Sequence, residues 1–563
     1  MEAEKRNCKN CHSEFIVEPE DLGFYEKIDV LPPAQCPECR RQRRLSWRND
    51  FVFYNRTCDL CKRNIISLYS SDNPQIIYCN KCWWSDMWDP KSFGVDFDFS
   101  KPFFEQFISL RKRVPALALV NDNGIGSENC DYVQNVQYSK NCYMAMVSWK
   151  LENCMYFCYG AEAKDAVDSM GIFSTSEGIY ETLYSEKCFG CKYIQNSSEL
   201  LDCSFCLDCY GCEHCFQCVG LRNKKYFFQN KQYTREEYEK IIFDYRLSSY
   251  SGVTRALNEF EKFLDMSPRK FSYLKNCINS TGNNLTNSKN AKNVFHVRKA
   301  EDCKFMENGD TEKGSYDLCV GGELEECYEG LTPDHSHRAL FTSYVWKSTD
   351  VLYSDFCQSS KDCFGCVGMK FGEYAVLNKT YSKDEYILLK KKIIEHMKKT
   401  GEWGEFFPME YSPFAYNESM AMLSFPLSKD DVLERGLEWR DSLQFTSGKT
   451  TQRDIPDDIH DVSDSITSDI LECTLCGRNY KVVPDELIFY KKWQIPIPRK
   501  CFFCRVSRRF KLRGPSRLWT RRCMCEKSTH KHEGKCMNTF ETSYAPERPE
   551  IVYCESCYNA EVV

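Results

Sequence analysis

Through the middle of this chain, apolar residues return behind a polar neighbour at a fixed step. Asn-Cys pairs place Cys130, Cys142 and Cys154 twelve residues apart, and Cys303, Cys327 and Cys363 fall at multiples of the same step. Twelve extended residues would span roughly 40 Å at about 3.3 Å each, too long for one ordinary strand. Each step therefore predicts a short strand plus a turn, half a coil of a β-solenoid whose interior stacks Cys and aromatic side chains. Phe, Trp and Tyr make up 14% of the chain, which suits strands and stacked interiors.

This region is duplicated. CFQCVGLRNKKYFFQNKQYTREEYEKII, from Cys215, matches CFGCVGMKFGEYAVLNKTYSKDEYILLK, from Cys363, at an offset of 148 with no gap. Thr234 with Glu237, and Ser382 with Glu385, have the spacing of a capping box, so a helix begins at each. Tyr238, Ile241, Ile242 and Tyr245 follow at helical spacing and predict an amphipathic helix that seals the apolar end of its solenoid. Cys203, Cys206, Cys209, Cys212, Cys215 and Cys218 read as thiols packed along the interior. The other reading is an iron–sulfur or extra zinc site, although the x3-C-P ending of a ferredoxin motif is missing.

The 36 cysteines of this 563-residue chain raise the question of disulfides. The opening MEAEKRNCKNC has no apolar h-region, and no apolar run approaches the roughly 18–20 residues of a membrane span. Many of the cysteines form C-x-x-C pairs, a spacing that suits a metal better than a bridge between neighbours. The expectation is a protein of a reducing, cytoplasmic compartment, with no membrane partner.

Both ends carry one module. Cys8, Cys11, Cys36, Cys39 and Cys58 recur 465 positions later as Cys473, Cys476, Cys501, Cys504 and Cys523. Pro19, Leu22, Phe24, Tyr25, Lys27, Pro33, Arg40, Arg43 and Arg44 recur in the same register. After a ten-residue insertion, Cys61, Cys79 and Cys82 correspond to Cys536, Cys554 and Cys557. Two C-x-x-C knuckles complete a tetrahedron of thiolates, so each module predicts two structural Zn2+ ions, four in all. A redox-active C-x-x-C would need one such pair opening a helix in a βαβ unit. Sequential pairing puts Cys8, Cys11, Cys36 and Cys39 on one ion and Cys58, Cys61, Cys79 and Cys82 on the other; a cross-braced arrangement would interleave them. In the rear module Cys473, Cys476, Cys501 and Cys504 would hold one ion and Cys523, Cys536, Cys554 and Cys557 the second. Cys525, His530 and His532, from the insertion, are substitutes, a fifth site, or a solvated loop.

Net charge is only −6, so any attraction to polyanions must be local. From Leu487 to Cys525 there are twelve Lys and Arg and no acid. Arg505, Arg508, Arg509, Lys511, Arg513, Arg517, Arg521 and Arg522, with Arg40, Arg41, Arg43, Arg44 and Arg48 at the front, are the candidate nucleic-acid contacts. Trp493, Phe502, Phe510 and Trp519 lie among the rear charges, and basic residues mixed with aromatics favour RNA or single strands. The alternatives are a solvated face or one that pairs with acidic protein. Residues 441–470, with Asp454, Asp457, Asp458, Asp461, Asp464 and Asp469, read as a flexible acidic linker able to mask those arginines. Asp334, His335 and His337 form a weak H-x-H candidate, and no P-loop, nucleophile elbow or H-E-x-x-H is present.

CPECRRQRRLSWRND, YCNKCWWSDMWDP, the Asn-Cys repeats, GLRNKKYFFQNKQYTREEYEK and CEKSTHKHEGKCMNTFETSYAPERPEIVYCESCYNAEVV together resemble a family of uncharacterised Cys-rich zinc-ribbon proteins of uncultivated bacteria and large DNA viruses. Some members carry a CoA-transferase label, but no residues here match such an active site. The resemblance implies no activity or substrate, and a viral member would reside in host cytoplasm or virion. The expected architecture is β-rich and multidomain, with zinc-ribbon or treble-clef-like modules flanking two solenoid-like repeats, each closed by a helix. Its segments are a double-zinc module (1–92), a helical connector (93–127), a Cys-rich repeat domain (128–255), a connector (256–275), a second repeat domain (276–405), a connector with acidic linker (406–470) and a second double-zinc module (471–563). The leading function is a non-enzymatic zinc protein that binds nucleic acid, the alternative a protein-assembly scaffold, and the third a metal-redox protein.

Overall fold

The computed structural model describes residues 2–121, 127–443, 445–452, 454–530 and 532–562. Residues 122–126 of the expected 93–127 connector and two positions of the acidic linker, 444 and 453, lie outside them. The chain is rich in strands, as its pattern predicts, and it divides into two compact units that each join distant segments. One unit combines Met1–Leu119 with Leu274–Leu443, the other Val120–Tyr273 with Gln444–Val563. Among the described residues no helix is long and apolar enough to cross a membrane.

In the second unit, short parallel strands stack mostly at a register of twelve: Met146 pairs with Cys158, Glu152 with Lys164, and Lys192 with Ser204, while one step, Ala163 to Ser176, is thirteen. The predicted single strand per step is corrected here. Residues 128–139 hold two strands, Glu128–Asp131 and Gln134–Gln137. The reason is a turn at every third residue, because left-handed backbone recurs without a break from Asn129 through Tyr132 and Asn135 to Asp168. The following residue of each triplet points into the core, which collects Val133, Val136, Cys142, Ala145, Leu151, Cys154 and Phe157.

This geometry explains the Asn-Cys pairs. Asn tolerates positive φ better than other L residues apart from Asp, and it occupies the corner while Cys fills the narrow interior. The corner amides also bond to one another: Asn129 donates to Asn141 at 2.9 Å, Asn141 to Asn153 at 3.0 Å and Asn153 to Asp165 at 2.9 Å.

Thr234 and Ser382 each cap a helix with the reciprocal Glu bond, opening Arg235–Tyr245 and Lys383–Thr400. Tyr238 and Tyr245 are buried, whereas Ile241 and Ile242 are only partly covered, beside Phe205 and Phe216. A second helix, Tyr250–Met266, occupies much of the region read as connector and packs Val253, Ala256 and Phe260 into the same cluster.

The first unit repeats the scheme. Residues Leu274 to Thr380 form an eleven-stranded sheet with pairings such as Lys292 to Lys304 and Cys363 to Ala375. Its core stacks Val294, Cys303, Cys327, Val351, Cys357, Cys363 and Cys366.

Candidate metal centres

Each terminal module is a pair of hairpin-plus-helix elements. Strands Glu4–Asn7 and Glu14–Val17 pair antiparallel, and Cys8 and Cys11 lie in the turn between them. His12, Lys62 and Gly477, each just after the second Cys of its knuckle, take positive φ of 59°, 61° and 68°. The amide of each bonds back to the carbonyl of Cys8, Cys58 or Cys473 at 2.9–3.0 Å, folding the knuckle so that both thiols face one point.

The other two ligands of each group open a helix. Cys36, Cys79, Cys501 and Cys554 are N-caps of Pro37–Ser46, Asn80–Trp83, Phe502–Arg513 and Glu555–Glu561. The positive end of a helix favours thiolate over thiol. Backbone amides add to this: the Cys36 N–H donates to Cys8 Sγ at 3.2 Å, Cys79 to Cys58 at 3.3 Å and Cys554 to Cys523 at 3.2 Å.

Five groups of side chains bring their ligand atoms within 4.8 Å of one another: Cys8, Cys11, Cys36 and Cys39; Cys58, Cys61, Cys79 and Cys82; Cys473, Cys476, Cys501 and Cys504; Cys523, Cys536, Cys554 and Cys557; and Cys525, His530, His532 and Cys557. The four all-Cys groups follow chain order, whereas Cys525, His530 and His532 of the mixed group fall between Cys523 and Cys536, and that group shares Cys557. A tetrahedron with metal–sulfur bonds of 2.3 Å has edges of about 3.8 Å. The Sγ separations match that edge: 3.7 Å for Cys11–Cys36, 3.9 Å for Cys61–Cys79, 3.7 Å for Cys476–Cys501 and 4.0 Å for Cys536–Cys554. A disulfide would need about 2.05 Å, and every cysteine is a free thiol. These groups could hold metal ions.

A neighbouring charge or hydrogen bonds prepare several of the sulfurs. The Arg63 guanidinium, 3.4 Å from Cys61 Sγ, draws that thiol down to about 6. Burial works against the Cys473 thiolate, but the backbone amides of Cys501, Leu475 and Cys476 outweigh it and leave the thiol at about 6. Cys554 reaches a similar value, burial again being offset by Ser556 and Asn538.

Cys203, Cys206, Cys209, Cys212, Cys215 and Cys218 are fully buried in the strand stack. Their thiols donate to backbone carbonyls, as Cys203 Sγ does to Leu201 O at 3.4 Å, and among the described residues they join none of the metal-holding groups. His335 and His337 also join none. Both are half exposed, with His335 beside Glu323 and Asp334.

The arginines chosen as nucleic-acid contacts require correction, because most are buried against carboxylates of the strand stack in their own unit. In the first unit Arg40 meets Asp317 at 2.8 Å, Arg41 meets Glu307 at 3.0 Å, Arg43 meets Glu329 at 2.9 Å and Arg44 meets Glu329 at 2.6 Å. Arg48 bonds Asp50 at 2.9 Å. In the second unit Arg509 meets Asp168 at 2.6 Å, Arg505 meets it at 3.1 Å and Arg508 meets Glu181 at 3.0 Å. Arg513 is buried beside Tyr159 and Phe510, and Arg521 is half-buried against Ala545 O. Lys511, Arg517 and Arg522 remain exposed.

The aromatic residues follow the arginines inward. Phe502 lies against Tyr156 with ring centroids 5.2 Å apart. The acidic stretch is not a free linker either: Ile459, Val462 and Ile466 are buried, and Asp457 and Asp458 bond Ser251 and Ser248. Asp464 pairs with a rear-module cation, Lys491, at 2.6 Å.

The carboxylate partners went unrecognised in the sequence, yet one signal was there. Tyr180-Glu181 recurs as Tyr328-Glu329 at the same offset of 148 that relates the two copies. No protein-family model matches the chain, and no curated protein matches it.

Proposed function

We propose that this chain is a zinc-dependent structural scaffold for protein assembly. In this reading the terminal modules are zinc ribbons of treble-clef type, and the strand stacks are β-solenoids with twelve-residue coils of four three-residue faces. Each solenoid is closed by its capped helix, and each module is clamped onto a solenoid of its own unit by buried arginines. The carrying observation is the destination of those arginines, since Arg40, Arg44, Arg505 and Arg509 are spent on Asp317, Glu329 and Asp168. A phosphate would have to displace a buried carboxylate to reach them. Zn2+ suits all-thiolate tetrahedra, and a reducing compartment suits thiols left free. The reading assigns no catalytic residue.

A titration across ionic strength tests it. The zinc-loaded protein should bind single-stranded RNA weakly, and its protein partners should be retained as salt rises. Tight RNA binding that falls steeply with salt would instead support the nucleic-acid reading. That reading keeps one specific observation: Lys511, Arg517 and Arg522 are exposed, and the Arg517 guanidinium lies 5.1 Å from the Trp519 ring centre.

A further inference from the structure

We propose that the rear module holds a two-metal cluster in which the Cys557 thiolate bridges the ions. This rests on the zinc reading above and extends it from four ions to five. Cys557 belongs to two of the five groups at once, the tetrathiolate of Cys523, Cys536 and Cys554 and the mixed set of Cys525, His530 and His532. Seven side chains thus supply two complete tetrahedra only if one is shared. A thiolate sulfur keeps enough lone pairs to bind two cations.

The two imidazoles are oriented as metal ligands are. A ligating His binds through one ring nitrogen and gives the other to a carboxylate or backbone carbonyl, which fixes its tautomer. His530 Nδ1 lies 3.1 Å from Cys525 Sγ, and its Nε2 lies 3.1 Å from Glu561 Oε1. His532 has the opposite assignment: Nε2 lies 3.4 Å from Cys557 Sγ, while Nδ1 lies 3.0 Å from Gly534 O. In both rings the acceptor sits on the outer nitrogen, leaving the inner lone pair aimed at the sulfurs. A metal with Zn–S of 2.3 Å and Zn–N near 2.0 Å sets N···S edges at about 3.5 Å, close to the separations found.

The insertion that supplies Cys525, His530 and His532 also splits the knuckle, placing twelve residues between Cys523 and Cys536 where the front module has two between Cys58 and Cys61. The Cys536 amide closes this loop on Cys525 O at 2.9 Å. The front module has no counterpart of the three added ligands, so its Cys82 serves one ion.

The test uses the full-length protein reconstituted with zinc for native mass spectrometry and with 113Cd for NMR. Five ions per chain are expected, and one pair of cadmium resonances should show mutual scalar coupling through the shared sulfur. His530→Ala/His532→Ala should bind four ions, lose that coupling and keep the wild-type far-UV circular dichroism. Four ions in the wild type, five in the double variant, or five resonances without coupling would each overturn the bridge and leave the four-zinc reading standing. A folded wild-type protein without stoichiometric metal would overturn that reading itself. If the variant does not fold, the wild-type coupling still decides.

Discussion

Arg509 and Asp168 are 341 residues apart in sequence, yet Nη1 meets Oδ1 at 2.6 Å with neither side chain exposed to solvent. Removing one partner of such a pair strands the other charge inside the protein, which costs about 3–5 kcal/mol. Arg509→Ala and Asp168→Ala should each lower the urea midpoint of the zinc-loaded protein by a corresponding amount. Replacing both residues with apolar ones of similar volume should recover much of the loss. If the double variant is as unstable as the sum of the singles, the pair is not the clamp.

Gly178 is a second point of attachment within the same unit. It adopts φ +67°, and a Cβ built there would stand 2.0 Å from the Trp493 ring. Gly178→Ala must move that indole, and overpacking plus the strained backbone should cost about 2–4 kcal/mol. Gly477 has nearly the same φ, +68°, but nothing within 4 Å of its added Cβ, and His12 and Lys62 fill the equivalent knuckle position in the two groups of the front module. Gly477→Asn should therefore cost less than about 1 kcal/mol. Equal losses at the two glycines in thermal unfolding would contradict the packing described.

The metal groups were legible because a C-x-x-C pair carries its geometry within four residues, and the two internal copies repeat it. The turn at every third residue was partly visible in the run from Cys203 to Cys218, but the Asn-Cys pairs drew attention to the twelve-residue step and hid the shorter one. Nothing local distinguishes an arginine meant for phosphate from one meant for Asp168 or Glu329, since the partner lies hundreds of residues away. The duplication of Arg40, Arg43 and Arg44 was compatible with either. The double membership of Cys557 is a matter of distance after folding and leaves no trace in spacing.

Lys192 gives a pH-dependent signature. Its ammonium donates to Trp493 O at 2.6 Å, and burial pushes its pKa down to about 8. The free side chain titrates near 10.4, so between these values the unfolded chain binds the extra proton. Unfolding free energy must then rise with pH across that window. The wild type should gain stability relative to Lys192→Met between about pH 8 and pH 10.4, where the methionine variant lacks this contribution. Parallel stability curves from denaturant titrations at pH 7.5 and pH 9.5 would show that the buried ammonium makes no such contribution.

The stacked thiols of the second unit can be tested apart from the metal groups. Cys209 Sγ donates to Leu207 O at 3.5 Å, and the Cys209 amide donates to Ser197 Oγ at 3.0 Å. Ser197 occupies the same inward position one twelve-residue step earlier, and its hydroxyl donates to Gln195 O at 2.8 Å. A serine at 209 can make the same bond, so Cys209→Ser should cost no more than about 1.5 kcal/mol. Cys209→Leu must place a larger side chain at a fully buried position and should cost about 1–3 kcal/mol. Because packing and backbone hydrogen bonds hold these sulfurs, Cys206→Ser/Cys209→Ser should retain the full wild-type metal content by elemental analysis and remain colourless. A lost ion, or a visible chromophore in the wild type that the double variant lacks, would place a cluster in the stack after all.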